Sequence, residues 1–411
     1  MDTAQDTFDL SSFNPLGVDA ADPYPFLRQA RENEPVFFSA AMGAWCVTRY
    51  NDIMEVVTDT DTYSSRDAFP RPQGLPPETE EVAQWLWSDV PAITLLDPPE
   101  HTRVRAVVRA GFTPRALAAF EPGIRDLIEE YAARLVGRDR VDLVSEFAIP
   151  LPLSVVMHVI GIPRADHGII QDWVDALNVV ILDSAFAGRQ ALVESAATHR
   201  RSLGYLYSLI DDRVASPRDD LISFFMHNDV KGQRLTYDEV ASQIFSMLVA
   251  GTDTTGNALC NTVRALLEQP ARWADLVAGR TPLDDVVAEG LRYNSPVLGL
   301  FRSTTRDTQL GGKAIPAGSM VFLMFSSACH DETRYENPGE FDCHRPGLAQ
   351  HMAFGYGIKY CIGAPLAKLE LAIALEVLAR RFPNLRLAST APATYKQMSQ
   401  LRALESLWVC P

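Results

Sequence analysis

Residues 236–268 repeat apolar side chains at three- and four-residue spacing, which indicates a single long amphipathic helix. At 1.5 Å per residue, a helix of about 33 residues is roughly 50 Å long and must cross a domain of this size from side to side. Shorter helical patterns follow the same spacing, at 101–110, 115–136 and 192–214. Strand-like runs are few, at 45–47, 304–310 and 319–325. No linker divides residues 1–411, so the sequence predicts one large, mostly α domain with a small β portion.

Charge and cysteine usage exclude several classes of protein. Lys and Arg total 37 against 52 Asp and Glu, a formal net charge of −15. This charge disfavours a general binder of nucleic acid or of anionic membranes, since both ligands attract positive charge. No apolar run approaches the ~18 residues of a transmembrane helix, and the acidic N-terminus does not resemble a signal peptide. Six scattered cysteines form no disulfide framework. We therefore expect a cytoplasmic protein that binds neither nucleic acid nor membrane.

The most specific motif is the segment FGYGIKYCIGAPLA at 354–367. Its glycines, Gly355, Gly357 and Gly363, permit a tight loop and a close approach of the backbone to a flat ligand. Cys361 directly precedes a helical pattern, and free N–H groups at a helix N-terminus stabilise a thiolate. A thiolate in such a loop is a suitable axial ligand for haem iron, where its electron donation favours O–O cleavage.

Two other roles compete for Cys361. An isolated cysteine is most often a buried structural residue in a turn, but the glycine pattern argues against that role here. A zinc site would need further Cys or His ligands, and neither a C-x-x-C pair nor a Cys/His cluster accompanies Cys361.

With this motif the chain resembles the cytochrome P450 family, specifically its soluble bacterial members, over nearly its whole length. The resemblance implies the P450 fold, with haem b buried between the long central helix and the cysteine loop and ligated by the Cys361 thiolate. Glu289 and Arg292 match the family's E-x-x-R pair, and Arg345 matches the later arginine of its buried network. That network would serve folding and haem incorporation. By spacing alone, Glu289 and Arg292 would form a surface ion pair worth about 0.2–0.5 kcal/mol.

Polar residues interrupt the long helical pattern at AGTDTT, residues 250–255. Thr and Asp could mark a helix end, yet apolar periodicity continues to Leu266. A threonine hydroxyl can replace a backbone hydrogen bond and bend a helix, which would open a groove for O₂ and water. The resemblance implies an acid–alcohol pair, in which Thr254 hydrogen-bonds to the iron-bound oxygen and Asp253 relays protons as a general acid.

Haem carries two propionates, so its site needs cations. His101 and Arg105 are four residues apart on one helix face, which by spacing alone could be a solvated polar face. The resemblance implies that both bind propionate, together with Arg302. Two residues before the cysteine, where the family usually has His or Arg, this chain has Lys359, a point charge without a forked donor. Further haem contacts are expected from His351, Phe354 and Gly355.

An apolar pocket is expected above the haem. Ser246, Val249 and Ala250 share a helix face with Asp253 and Thr254 by spacing. The remaining predicted wall residues are Leu298 and Leu300. Segments 67–91 and 165–195 would cover the pocket, as in the family. A small hydrophobic or aromatic molecule is the expected ligand of such a pocket.

The leading hypothesis is a monooxygenase that inserts one oxygen atom from O₂ into a small hydrophobic substrate, by hydroxylation or oxidative dealkylation. We expect electrons from an external ferredoxin and ferredoxin reductase, because the sequence has neither a nucleotide-binding glycine motif nor a ferredoxin cysteine cluster. The ferredoxin would dock near the cations Arg103, Arg105, Arg109, Lys359 and Lys368. Two alternatives stay open: a haem–thiolate enzyme with peroxide-driven or rearrangement chemistry, and a haem-based carrier or sensor.

Overall fold

The computed structural model describes residues 13, 22–181, 187–396 and 400–411. Its α-helices, in chain order, are α1 (Tyr24–Asn33), α2 (Tyr50–Thr58), α3 (Pro77–Gln84), α4 (Glu100–Ala110), α5 (Pro114–Ala133), α6 (Pro150–Ile160), α7 (His167–Ile181), α8 (Arg189–Ala215), α9 (Leu221–His227), α10 (Tyr237–Leu267), α11 (Pro270–Val277), α12 (Leu283–Tyr293), α13 (Phe325–Ala328) and α14 (Ala364–Arg381). Segments Trp85–Asp89 and Val144–Ala148 are π-helical. Turns of 3₁₀ geometry are Ile93–Leu95, Arg164–Asp166, Leu348–Gln350 and Gly357–Lys359.

The strands are short and assemble into small sheets. They are β1 (Val36–Ser39), β2 (Ala44–Val47), β3 (Tyr63–Ser64), β4 (Val141–Asp142), β5 (Leu300–Thr304), β6 (Thr308–Leu310), β7 (Lys313–Ile315), β8 (Met320–Leu323), β9 (Arg386–Leu387) and β10 (Trp408–Cys410). Among the described residues, the largest sheet has the order β1-β2-β8-β5-β3, and β2 and β8 are its parallel pair. The others are β4-β10-β9 and the hairpin β6-β7. The predicted mostly α fold with a small β portion is confirmed.

Helix α10 is the central element, and it begins and ends one residue inside the predicted 236–268. Thr236 starts it with a capping box: its side chain accepts from the Glu239 N–H at 3.2 Å, and the Glu239 side chain accepts from the Thr236 N–H at 2.8 Å. Further along, Gly256 lets α10 cross the π-helical segment Val144–Ala148 closely. A Cβ at Gly256 would lie 2.5 Å from the Ala148 carbonyl oxygen. Thr236 and Glu239 therefore determine where α10 begins, and Gly256 permits its close approach to the segment Val144–Ala148.

The strand-like run 304–310 is not one strand, and that expectation was wrong. It divides into the end of β5 and all of β6, with a bend at 305–307. The bend is stabilised by polar side chains, since Thr305 Oγ1 donates to the Asp61 carbonyl at 2.6 Å and Asp307 Oδ1 accepts from the Ala317 N–H at 2.8 Å. Side chains of this kind compete with the strand ladder and favour turns.

The predicted cover segments are mainly helical. Segment 67–91 contains α3 and the π-helical turn that follows it, and segment 165–195 contains α7 and the start of α8. Residues 182–186 of the second segment lie outside the described residues. Within the part of the chain that the structure describes, no helix has the length and apolarity that crossing a membrane requires.

Candidate active site

Hydrogen bonds within the cysteine loop hold Cys361 immediately before α14. Gly355 and Gly357 adopt φ of 68° and 66°, a left-handed conformation that glycine adopts without strain. The Gly355 N–H donates to the Met352 carbonyl at 2.8 Å, and the Cys361 N–H donates to the Phe354 carbonyl at 2.9 Å. The loop therefore closes on itself, with Cys361 held between Phe354 and the start of α14.

Cys361 differs from the other five cysteines, all of which lie in the described part of the chain. It is exposed, whereas Cys46, Cys260 and Cys329 are buried and the remaining two are half-buried. Desolvation by the surrounding protein nevertheless raises the pKa of the thiol. Hydrogen bonds from Gly363 and Ala364 and the charge of Arg105 act in the opposite direction. The helix-terminal donors predicted from the sequence are thus present, but desolvation outweighs them in the free chain.

One face of the middle of α10 borders an open space. Ala250 is exposed, and Ser246, Val249, Asp253 and Thr254 are half-buried. Residues just before and after this stretch, from Val240 to Phe245 and from Thr255 to Val263, are buried. An accessible patch within an otherwise buried helix indicates an internal cavity on that side. Of the other two predicted wall residues, Leu300 is half-buried and Leu298 is buried.

Asp253 and Thr254 make different hydrogen bonds on this face. Thr254 Oγ1 donates to the Ala250 carbonyl at 2.7 Å, so its hydroxyl bonds back within the helix, which stays continuous to Leu267. Asp253 Oδ2 accepts from Asn178 Nδ2 of α7 at 3.3 Å. Burial raises the pKa of the Asp253 carboxyl, and the Lys396 charge and the Asn178 hydrogen bond lower it in part. Sequence reasoning missed Asn178, because nothing in the sequence relates it to Asp253.

Four cationic or basic side chains converge near the loop, and we call them the cation cluster: His101, Arg105, Arg302 and Lys359. Arg105 Nη2 donates to the Tyr360 carbonyl at 2.5 Å, and Lys359 Nζ donates to the Leu96 carbonyl. His101 and Arg302 are buried, and His101 Nδ1 has no hydrogen-bond partner among the described residues.

The electrostatics of the cation cluster fit an anionic ligand. Burial, followed by the charges of Lys359 and Arg105, lowers the pKa of His101 to about 4. Burial and Arg302 lower the pKa of Lys359 to about 7. The nearby carboxylate, Asp97, is already bonded to Ser64 Oγ at 2.5 Å and to the Ser65 N–H at 2.8 Å. The buried guanidinium of Arg302, the half-buried cations Arg105 and Lys359, and the His101 nitrogen that has no partner among the described residues suit the two propionates of haem. The residues present therefore fit that group.

His351 lies in a different environment from the cation cluster. It is buried, its Nδ1 accepts from the Ala353 N–H at 3.2 Å, and its ring centre is 5.7 Å from that of Phe354. Burial and then the charges of Lys368 and Arg292 lower its pKa. His351 Nε2 has no partner among the described residues. His351 therefore packs against the Phe354 ring. The positive charges that lower its pKa are those of Lys368 and Arg292, not those of the cation cluster.

Glu289 and Arg292 form a fully buried ion pair with two hydrogen bonds of 2.7 Å. Arg345 Nε lies 3.8 Å from Glu289 Oε1, and the Asp342 N–H donates to the same oxygen at 2.7 Å. Arg292 also donates to the carbonyls of Cys329 and Pro338. The spacing alone suggested a surface pair, whereas the observed pair crosslinks α12 to the loop that precedes the cysteine segment.

At least one of the cations predicted to lie near a ferredoxin docking site is already paired within the protein. Arg103 pairs with Glu239 at the start of α10, so its charge is compensated. Arg109 is exposed, and Lys368 Nζ lies 5.5 Å from the centre of the Phe354 ring. The cysteine loop itself exposes two large side chains, Tyr356 at 43% and Ile358 at 44%. This surface, Arg109, Lys368, Tyr356 and Ile358, is called the loop face below.

The described residues contain no group of three or more His, Cys, Asp and Glu side chains that could hold a metal ion. A zinc site at Cys361 therefore has no further ligands of these types within that part of the chain. The chemistry available to Cys361 is that of a single thiolate donor beside a cluster of cations.

Comparison with known proteins gives one consistent result. The model of the family described as "Cytochrome P450" matches residues 189–276 and 271–401. Erythromycin C-12 hydroxylase of Saccharopolyspora erythraea is 37% identical over 88% of this chain and 87% of its own. Cyclomarin C epoxidase CymV of Salinispora arenicola is 35% identical over 90% and 91%. The solved structure of cytochrome P450 CREJ with (4-ethylphenyl) dihydrogen phosphate is 30% identical, with a TM-score of 0.88 over 97% and 99%.

Proposed function

This chain belongs to the cytochrome P450 family of monooxygenases, whose members bind haem b through a cysteine thiolate, and we propose that Cys361 is the ligand here. The observation that carries the proposal is the accessible Cys361 thiol at the end of a glycine loop, directly before α14. Because the pKa of the thiol is raised in the free chain, binding of iron must displace its proton. Haem held there supplies O₂ activation and transfer of one oxygen atom to a substrate.

The cation cluster would hold the propionates. Among the described residues, the side chains of Arg105 and Lys359 each use one donor on a backbone carbonyl and make no other hydrogen bond, and His101 Nδ1 has no partner. Arg302 would contribute a buried guanidinium, which suits a carboxylate. Phe354 and Gly355 would bring the loop backbone against the flat ligand. His351 would act through Phe354, against which its ring packs.

Asp253 and Thr254 would manage protons on the opposite side. A carboxyl whose pKa is raised by burial holds its proton to higher pH than an exposed one, so Asp253 is suited to hold a proton on this face and pass it on. The Thr254 hydroxyl donates to the Ala250 carbonyl and keeps its oxygen lone pairs for a second partner on the cavity side. Glu289, Arg292 and Arg345 would serve folding, since Glu289 and Arg292 are fully buried and tie α12 to the loop that precedes the cysteine segment.

The substrate would be a small hydrophobic organic molecule that is hydroxylated or oxidatively dealkylated. The proposed walls are Ser246, Val249, Ala250, Leu298 and Leu300, which offer little charge. The relatives named above act on or bind unlike molecules, namely erythromycin, cyclomarin C and an aryl phosphate, so family membership does not identify the substrate. An uncharged wall beside a carboxyl favours a neutral substrate.

Electrons would come from a ferredoxin and its reductase in the cytoplasm. The loop face combines two cations with two exposed apolar side chains next to Cys361, a composition suited to a small acidic redox protein.

Oxygen labelling tests the monooxygenase proposal. Small aromatic and terpenoid compounds are screened for a low-to-high spin shift, and those that bind are incubated with ¹⁸O₂, a ferredoxin, its reductase and NAD(P)H. We expect one ¹⁸O atom in a hydroxylated product, or in the carbonyl fragment that dealkylation releases, and no product without electrons. Product formed from hydrogen peroxide alone would favour the peroxide-driven alternative, and product from ¹⁸O₂ with no label in any fragment would favour rearrangement chemistry. The absence of any product or spin shift would favour a carrier or sensor.

A further inference from the structure

Helix α3 is joined to α8 by two ion pairs on the protein surface. Arg189 Nη2 lies 3.7 Å from Glu78 Oε2, and Arg200 Nη1 lies 3.4 Å from Glu81 Oε2. The four side chains are 42–68% exposed. Salt therefore screens the attraction in both pairs, less so at the buried Glu78 Oε2 atom, and each pair contributes little by itself.

Beneath the two ion pairs, α3 and the turn that follows it are held by a buried hydrogen bond and by ring packing. Thr79 Oγ1 of α3 donates to the Leu192 carbonyl of α8 at 3.0 Å in a buried hydrogen bond. Just after α3, the Trp85 ring centre lies 5.3 Å from that of His199 on α8 and 5.7 Å from that of Phe245 on α10. Phe245 directly precedes Ser246 of the open face of α10. Residues 77–89 thus cover the start of that face.

The far end of this covering segment is fixed. Ser242 Oγ of α10 donates to the Val90 carbonyl at 2.7 Å. An opening motion about Val90 would break the α3–α8 contacts while it kept the attachment to α10. Such a motion has to separate both ion pairs, and exposed pairs lose strength as ionic strength rises.

We propose that the pairs Glu78–Arg189 and Glu81–Arg200 form an electrostatic latch that helps to hold residues 77–89 closed over the substrate cavity, so that this cover opens more often as ionic strength rises. The assignment of the space as a substrate cavity rests on the proposed function. The latch itself concerns only the opening of α3 from α8.

Neighbouring charges supply matched controls. Arg201 is next to Arg200 on α8, and its Nη2 donates to Thr198 Oγ1 of the same helix at 3.0 Å. Glu80 of α3 pairs with Arg71, which precedes α3 in the chain and is not part of α8. Neither Arg201 nor Glu80 has an ion pair across that contact among the described residues.

Hydrogen exchange of the holoenzyme tests the latch without a ligand. Amide exchange in residues 77–89 is measured by mass spectrometry at 0.01 M and 1 M salt, where the Debye length falls from about 30 Å to about 3 Å. At low salt, Arg189→Gln with Arg200→Gln should accelerate exchange about threefold to tenfold. High salt should accelerate the wild type to a similar rate and leave the double variant nearly unchanged. Arg201→Gln should behave as the wild type.

A charge exchange keeps the test valid if the double variant folds poorly. Arg200→Glu alone should open the segment, and Arg200→Glu with Glu81→Arg should close it again. A second measurement follows binding of 4-phenylimidazole to the haem iron by stopped flow, with faster association expected in the opened variants. Exchange in 77–89 that is indifferent to salt and to these substitutions would overturn the latch, while the reduced-plus-CO spectrum reports separately on the proposed function.

Discussion

Asn178 of α7 donates a hydrogen bond of 3.3 Å from its Nδ2 to Oδ2 of Asp253, on the open face of the central helix. The donor is neutral, and burial of Asp253 outweighs it, so the pKa of the carboxyl is raised. Asp175, one turn before Asn178, raises this pKa slightly, and Lys396 lowers it. A covering helix thus supplies a direct hydrogen bond to the acid that we propose as the proton relay.

Substitutions of Asn178 should move the ionisation of Asp253 in opposite directions. Asn178→Ala removes a hydrogen bond to the charged form, so the pKa of Asp253 should rise further. Asn178→Lys adds a cation, so the pKa should fall. The test is the pH dependence of product formation, measured with a substrate found by spin shift. The limb of this profile that depends on Asp253 should move to higher pH in Asn178→Ala and to lower pH in Asn178→Lys. Asp253→Asn should slow turnover and lose that limb, and displacement of both Asn178 variants in one direction would refute the assignment.

Thr254→Ala should separate electron consumption from product formation. Loss of the hydroxyl leaves the helix intact, because the hydroxyl's own bond is to a carbonyl that the helix already satisfies. Product per NAD(P)H should fall at least about tenfold, with the missing electrons recovered as hydrogen peroxide. Thr252→Val is the matched control, since Thr252 is buried and its hydroxyl donates to the Leu248 carbonyl at 2.6 Å. An equal loss of coupling in both variants would remove Thr254 from the mechanism.

Glu289→Gln should destabilise the fold far more than loss of a surface carboxylate. It leaves the guanidinium of Arg292 buried without its counter-charge, and breaking a buried pair costs about 3–5 kcal/mol. Urea unfolding and haem content of the purified protein measure the effect. The control is Glu32→Gln, whose exposed i,i+4 pair with Arg28 contributes about 0.5 kcal/mol or less. Similar unfolding midpoints for the two variants would contradict a structural role for the network.

Charge reversal on the loop face should slow electron delivery. Arg109→Glu and Lys368→Glu should each reduce the rate of reduction by ferredoxin in stopped flow, most strongly at low salt. Substrate affinity, read from the spin shift, should hardly change. Arg386→Glu makes the same change in net charge at an exposed position on β9 and is the control. Rates that respond equally to all three variants would place the docking surface elsewhere.

Local patterns predicted the long elements well and the cross-chain contacts poorly. The extent of α10 followed from apolar periodicity, which is local in sequence, and the Thr236–Glu239 capping box found in the structure is local as well. The compensation of Arg103 by Glu239 joins residues 136 positions apart, and the bond between Asn178 and Asp253 joins residues 75 apart. The spacing of apolar residues along the sequence carries no information about such distant pairs. For the same reason, the burial of Glu289 and Arg292 could be expected from the family resemblance but not from their spacing.

The central claim, that Cys361 ligates haem iron, is tested most directly by the absorption spectrum of the reduced protein with CO. A thiolate-ligated haem gives a strongly red-shifted Soret band, and we expect the purified wild type to show it. Cys361→Ser should abolish that band, while Cys343→Ser, a half-buried cysteine near the Glu289 network, should retain it. A red-shifted band that persists in Cys361→Ser, or one that is absent from the haem-loaded wild type, would contradict the account.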